Sequence, residues 1–126
     1  MASTGQDATI VTYGLGVVWA ESLQAEHPEW SLEIIDLRTL LPWDEETVIA
    51  SVRKTNRALV LHEGTMTGGI GAEISARIQE SCWTDLDAPV TRVAGLDTAF
   101  PFAADLEKQF LANHRLEEAL RTLLTT

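Results

Sequence analysis

His62 and Glu63 are the residues best equipped for chemistry, an imidazole beside a carboxylate that could serve as base and orienter. Neighbours on an extended strand point to opposite faces, however, so the two need not share a site. The residues favour the plainer reading, a hydrogen-bonded histidine and a carboxylate capping the next loop. The turn Gly64-Thr65-Met66-Thr67-Gly68-Gly69-Ile70-Gly71 follows and could aim backbone N–H groups at an anion. It lacks the Lys-Ser/Thr ending of a phosphate-binding loop and the spacing of the dinucleotide fingerprint. Gly68, Gly69 and Gly71 are better read as permitting a tight turn and close helix packing. Asp85 and Asp87, in Thr84-Asp85-Leu86-Asp87-Ala88-Pro89, stand on a loop before a strand. There they could meet arginines of a partner or simply remain solvated.

Other searches come up empty. The histidines at 27, 62 and 114 show no His-x-x-x-His spacing, and no Cys-x-x-Cys exists. Cys82 sits near the end of an expected helix, where the dipole does not favour a thiolate. No serine lies in a Gly-x-Ser-x-Gly elbow. The residues therefore predict no catalytic, cofactor-binding or metal site within this chain.

The elements that must position these residues alternate between strand and helix. Ala8–Tyr13, Leu32–Leu37, Arg57–His62 and Val90–Ala94 are apolar, β-branched runs that read as strands. Leu15–Glu26 carries Val17, Ala20 and Leu23 at helical spacing and stops near Pro28. Asp44 is a good N-cap for a helix ending near Thr55, and Trp43 can staple onto Val48. From Ile70 to Ser81, the isoleucines 70, 74 and 78 form a stripe that should lie on the sheet. Gly71, Ala72, Ser75 and Ala76 form a small-residue face open to core packing or to a second subunit. Leu96 to about Asn113 reads as irregular, and Arg115–Leu124 as a closing helix. Strands separated by helices imply parallel pairing, hence a three-layer α/β/α open sheet. In such a sheet ligands sit beyond the carboxyl strand ends, here near Tyr13, Asp36 to Arg38, His62-Glu63 and Gly95 to Asp97.

At 126 residues the chain fits one domain, expected over 7–126, with 1–6 a disordered leader or a cloning remnant. Nineteen acids against nine bases give a net charge of −10, which disfavours nucleic acid and favours a basic protein partner. Only Lys54 and Lys108 are lysines, a bias that salt adaptation would also produce. One cysteine allows no internal disulfide, and no apolar run is long enough to span a bilayer. A cytoplasmic location is the expectation, with no membrane association.

Taken in order, several segments resemble one family. They are Thr9-Ile10-Val11-Thr12-Tyr13-Gly14, Glu33-Ile34-Ile35-Asp36-Leu37-Arg38-Thr39-Leu40 and Ser51-Val52-Arg53-Lys54-Thr55-Asn56-Arg57. With them go His62-Glu63-Gly64, Thr67-Gly68-Gly69-Ile70-Gly71-Ala72-Glu73-Ile74, and the run from Leu86 to Asp97. Together they resemble the transketolase-type C-terminal domain of the β-subunit of thiamine-diphosphate-dependent 2-oxoacid dehydrogenases. The resemblance implies a component that decarboxylates 2-oxo acids and passes the acyl group to a lipoyl acyltransferase. His62-Glu63 with Thr67-Gly68-Gly69 looks more like the branched-chain (2-oxoisovalerate) type than the pyruvate or acetoin types. Thiamine diphosphate and magnesium would be held in the full enzyme by an N-terminal cofactor-binding domain and an α-subunit or α-region, both absent here. This domain would support assembly with a second β-subunit and dock the acyltransferase's subunit-binding domain. The resemblance assigns docking to Asp87, with Asp85 and the terminal Thr126 beside it.

Two departures stand out. The family's antiparallel edge strand has only Met1 to Gly5 to form it here, so it is expected to be missing or truncated, as in a domain excised from a longer chain. Phe102, in Phe100-Pro101-Phe102-Ala103, stands where the family often has tyrosine and removes a hydroxyl. A different class remains open on the residues alone, a stand-alone flavodoxin-like module binding a small anion or nucleotide near the glycine turn and Arg38.

Overall fold

The computed structural model describes residues 3–37, 43–62, 70–94 and 105–125, with the backbone alone at 62, 94 and 105–114. In chain order the elements are β1 (Ala8–Thr12), α1 (Leu15–Glu26), β2 (Leu32–Asp36), α2 (Glu45–Thr55) and β3 (Ala58–His62). They continue with α3 (Ile70–Cys82), β4 (Thr91–Ala94) and α4 (Asp105–Leu124). Each strand pairs parallel with its neighbour in the order β2-β1-β3-β4. All five residues of β1 are buried, as a central parallel strand covered on both faces must be.

Alternation along the strands divides the core in two. Ile10, Ile34, Leu59 and Leu61 turn toward α1 and α4, where Trp19, Leu23, Leu116 and Leu120 meet them. Val11, Ile35, Ala58 and Val60 face α2 and α3, against Val48, Val52, Ile74 and Ile78. The expected three layers are present. Trp43 packs on the second cluster, as a staple toward Val48 requires. Asp44 caps α2 by accepting from the Thr47 N–H at 3.3 Å. Gly14 turns the chain from β1 into α1 with φ 58°, a conformation that suits glycine.

Two expectations need revising. The irregular stretch is shorter than read, because α4 begins at Asp105 and runs for 20 residues. Between Asp105 and Arg115 the sequence holds no Gly or Pro and is rich in helix formers, so the helix starts well before Leu116. The leader also behaves differently from Ser3 onward. Ser3 and Ile34 exchange backbone hydrogen bonds of 3.3 and 3.1 Å in an isolated antiparallel bridge. Gly5 lies so close to β2 that a Cβ there would come within 2.3 Å of the Leu32 carbonyl carbon. Among the described residues the edge strand is therefore reduced to one bridge rather than lost.

Beneath that bridge runs a buried polar seam. The Glu33 carboxylate, on β2, accepts from Lys54 Nζ and from the Gly5 N–H at 3.1 Å. Thr9 Oγ1 sits 2.7 Å from both Ser51 Oγ and Thr55 Oγ1, joining β1 to α2. Burial alone would raise the Glu33 carboxyl. Hydrogen bonds from Lys54, Ser51 and the Gly5 N–H outweigh it and hold the group below the ordinary range.

Candidate docking surface

The acidic loop is built on the end of α2. Asn56 leaves the helix in the left-handed conformation, φ 65°, which asparagine tolerates better than most residues. Its side-chain Nδ2 donates to the Asp85 carbonyl at 2.7 Å, and its own carbonyl accepts the Asp87 N–H at 2.8 Å. From the other side, the Cys82 carbonyl at the end of α3 accepts the Asp85 and Leu86 N–H groups at 2.7 and 3.0 Å. The backbone of the loop is thus fixed at both ends.

Its carboxylates are held far more loosely. Asp85 Oδ2 is 3.6 Å from Arg53 Nε, and Asp87 Oδ2 is 3.7 Å from Arg57 Nη1. Both separations exceed a good charge-assisted hydrogen bond, and exposed pairs of this kind contribute about 0.2–1 kcal/mol. The Asp87 side chain is 55% exposed. Arg57 reaches further, donating from Nε to the Leu123 carbonyl at 3.1 Å, so the last turn of α4 joins the same surface. Thr125 closes that turn with hydrogen bonds from Oγ1 to the Arg121 and Thr122 carbonyls. Thr126 lies outside the described residues.

Trp83 stands beside the loop with 68% of its surface exposed. Its one mark in the sequence is its place, as an aromatic residue, between a helix end and an acidic loop. A pinned backbone, two lightly engaged carboxylates and an exposed indole suit recognition of a cationic protein surface.

The carboxyl strand ends lie at the opposite edge of the sheet. His62 ends β3, while Glu63, Gly68, Gly69, Asp97, Arg38 and Phe100–Ala103 lie outside the described residues. Thr12 Oγ1 is buried there without a hydrogen-bond partner, but the first turn of α1 covers it. A Cβ on Gly16 would come 2.0 Å from that oxygen. Gly71 is buried, Ala72 and Ser75 are half-buried and Ala76 is exposed, so the small-residue face is partly open. Cys82 is fully buried; burial pushes its thiol up, more than the Arg53 charge pulls it down, which disfavours the thiolate.

Residues 1–115 match the model of the transketolase C-terminal domain. The chain belongs to that family. Within it, this transketolase C-terminal domain is homologous to β-subunits of branched-chain and related 2-oxoacid dehydrogenases. It is 54% identical over 99 residues to 2-oxoisovalerate dehydrogenase subunit beta 2, mitochondrial, of Arabidopsis thaliana, covering 77% of this chain and 28% of that protein. It is 44% identical over 112 residues to the pyruvate dehydrogenase E1 component subunit beta of Rhizobium meliloti, covering 87% of this chain and 24% of that protein. A solved split-gene transketolase, described as an inactive beta4 tetramer, aligns with TM-score 0.72 at 26% identity, over 98% of this chain and 40% of that one. The chain thus spans well under half of each relative.

The thiamine diphosphate and magnesium implied for the larger enzyme can be tested against the side chains present. Among the described residues the ligating groups that converge are Glu26, His27 and Glu117. They lie where α1 returns to the amino-terminal edge of the sheet, away from the strand ends where a diphosphate is expected. They do not fit that cofactor, and no step through it is assigned to this chain.

Proposed function

We propose that the chain is the C-terminal interface and docking domain of the β-subunit of a branched-chain 2-oxoacid dehydrogenase. On this reading the parent enzyme oxidatively decarboxylates branched-chain 2-oxo acids and transfers the acyl group to a lipoyl acyltransferase. Thiamine diphosphate and magnesium belong to its N-terminal cofactor-binding domain and its α-subunit or α-region. The face around Gly71 meets a second β-subunit. Asp87, with Asp85 and Thr126, receives cationic side chains of the acyltransferase's subunit-binding domain. A cytoplasmic location goes with the reading, since a lone buried cysteine asks for no oxidising compartment.

Support for the branched-chain assignment is the 54% identity over 99 residues to the Arabidopsis 2-oxoisovalerate protein. Support for docking is the loose hold on Asp87: exchanging Arg57 for a partner's cation sacrifices about 1 kcal/mol or less. The net charge of −10 also steers basic partners toward the molecule.

The complete enzyme, assembled with its other subunits, tests both parts. It should turn over 3-methyl-2-oxobutanoate with a kcat/KM at least about tenfold above that for pyruvate, a difference of ~1.4 kcal/mol. Equal values, or a preference for pyruvate, would reject the branched-chain assignment. Asp87→Ala should weaken acyltransferase binding by about tenfold or more in calorimetry. Decarboxylation followed with an artificial electron acceptor should stay unchanged. Undiminished association would remove Asp87 from the docking role.

A further inference from the structure

Helix α1 ends at His27, whose backbone N–H caps the helix by donating to the Leu23 carbonyl at 3.0 Å. The imidazole stacks on Trp30, with ring centroids 4.0 Å apart and planes 12° from parallel. Gln24 fixes the turn beneath: Nε2 donates to the His27 and Trp30 carbonyls, and Oε1 accepts the Leu32 N–H at 2.8 Å. The ring is therefore held in place before anything binds to it.

Both ring nitrogens face carboxylate oxygens. Nδ1 lies 3.1 Å from Glu29 Oε2, and Nε2 lies 3.5 Å from Glu117 Oε1 on α4. A neutral imidazole has one proton to give. With that proton on Nδ1 toward Glu29, the Nε2 lone pair is left facing Glu117 Oε1, a gap that a metal ion at Nε2 would bridge. The surrounding charge says which kind. Glu26, Glu29 and Glu117 supply three negative charges, and Arg121, 2.8 Å from Glu117 Oε1 and set over the Trp30 ring, supplies one positive charge. A divalent ion would neutralise the remainder.

We propose that Glu26, His27 and Glu117 form a site for one divalent transition-metal ion of the zinc class, clamping α1 to α4. One imidazole nitrogen and two carboxylates are zinc ligands, and a water completes four-coordination. Their ligand atoms already lie within 4.8 Å of one another. Tetrahedral zinc with bonds of about 2.0–2.1 Å needs them roughly 3.3 Å apart, a closure within reach of two surface glutamates. Glu29 is the outer partner that fixes the tautomer and orients the ring. The negative end of the α1 dipole points the same way.

The test is titration of the whole chain with zinc chloride at about pH 7. Calorimetry would be read beside the nitrogen resonances of the assigned His27 ring. One zinc should bind per chain, with the Nε2 resonance moving to a metal-bound position and Nδ1 keeping its proton. Glu29→Gln should weaken zinc about 10–100-fold while leaving one site. Glu117→Gln should weaken it at least as much, with unchanged circular dichroism showing that the fold survives. No binding would overturn the proposal. So would equal affinity in His27→Gln, zinc-induced shifts confined to His62 or His114, or a His27 ring doubly protonated in the presence of zinc.

Discussion

Glu33 and Asp87 are both carboxylates beside cations from the last turn of α2 and its exit, and they differ in almost everything else. Glu33 is 1% exposed and gathers Lys54, Ser51 and the Gly5 N–H around one carboxylate. Asp87 is 55% exposed and meets Arg57 at 3.7 Å. Taking Glu33 out of water is costly, so it is tolerable only with several donors at once. Removing any of them leaves the buried carboxylate short of a partner. Asp87 was never taken out of water, and its pairing can be exchanged at little cost. One carboxylate binds the amino-terminal stretch to the sheet; the other is left for a partner.

That contrast breaks most visibly under mutation. Glu33→Ala should lower unfolding stability by about 2–4 kcal/mol in urea denaturation, because the Gly5 N–H and Ser51 lose a charged acceptor. A loss no larger than that of Asp87→Ala would dissolve the distinction. Acid sharpens it. The folded pKa of Glu33 is lowered, so its contribution is complete above the ordinary glutamate pKa of about 4.3 and fades as pH falls through the folded value. Glu29, Asp44 and Glu117 are lowered as well and fade in the same direction. The Glu33 share is therefore the difference between the wild-type and Glu33→Gln curves. That difference should shrink on acidification; a constant difference would mean that the charge of Glu33 does not stabilise the fold.

Asn56 joins the two regions, since it ends the helix that carries Lys54 and holds the loop that carries Asp87. Asn56→Ala should cost about 1–2 kcal/mol, from left-handed backbone strain and the lost bond to the Asp85 carbonyl. Asn56→Gly relieves the strain but not the bond, so it should cost less. Equal losses in denaturation would show that the side-chain bond alone matters.

How much of this could be read from the sequence depends on range. The strands, the isoleucine stripe of α3 and the Asp44 cap are local patterns, set by alternation, four-residue spacing and one side chain at a helix start, and all were legible. So was the acidic loop as a loop. The Glu33 seam was not, because 28 residues separate Glu33 from Gly5 and 21 separate it from Lys54, and nothing local in LEIIDL marks a glutamate as buried. A period-2 reading would even turn Glu33 outward, yet in a parallel sheet both faces are covered. The Glu26, His27 and Glu117 group escaped for the same reason: ligand spacing within one segment cannot reveal a ligand supplied by α4. The start of α4 escaped for another. Its first half precedes the apolar stripe that begins at Leu116, and helix formers without Gly or Pro suffice to extend the helix there.

The smallest expected effect bears hardest on the docking proposal. Asp87→Asn keeps the side chain's shape and its backbone N–H bond to the Asn56 carbonyl, and removes only a charge 3.7 Å from an arginine. The pair is screened by water, and the deleted charge also relieves repulsion in a molecule at −10. The two terms oppose each other, so stability should change by less than about 0.5 kcal/mol. The same substitution in the assembled enzyme should slow acyltransferase association and flatten its dependence on salt, because an exposed charge acts first on encounter. A stability loss above ~1 kcal/mol would mean that Asp87 is structural after all, and any binding defect would then report a damaged loop. A silent stability change beside an altered salt dependence would separate the two carboxylates as the geometry does: Glu33 acting within the fold, Asp87 acting across an interface.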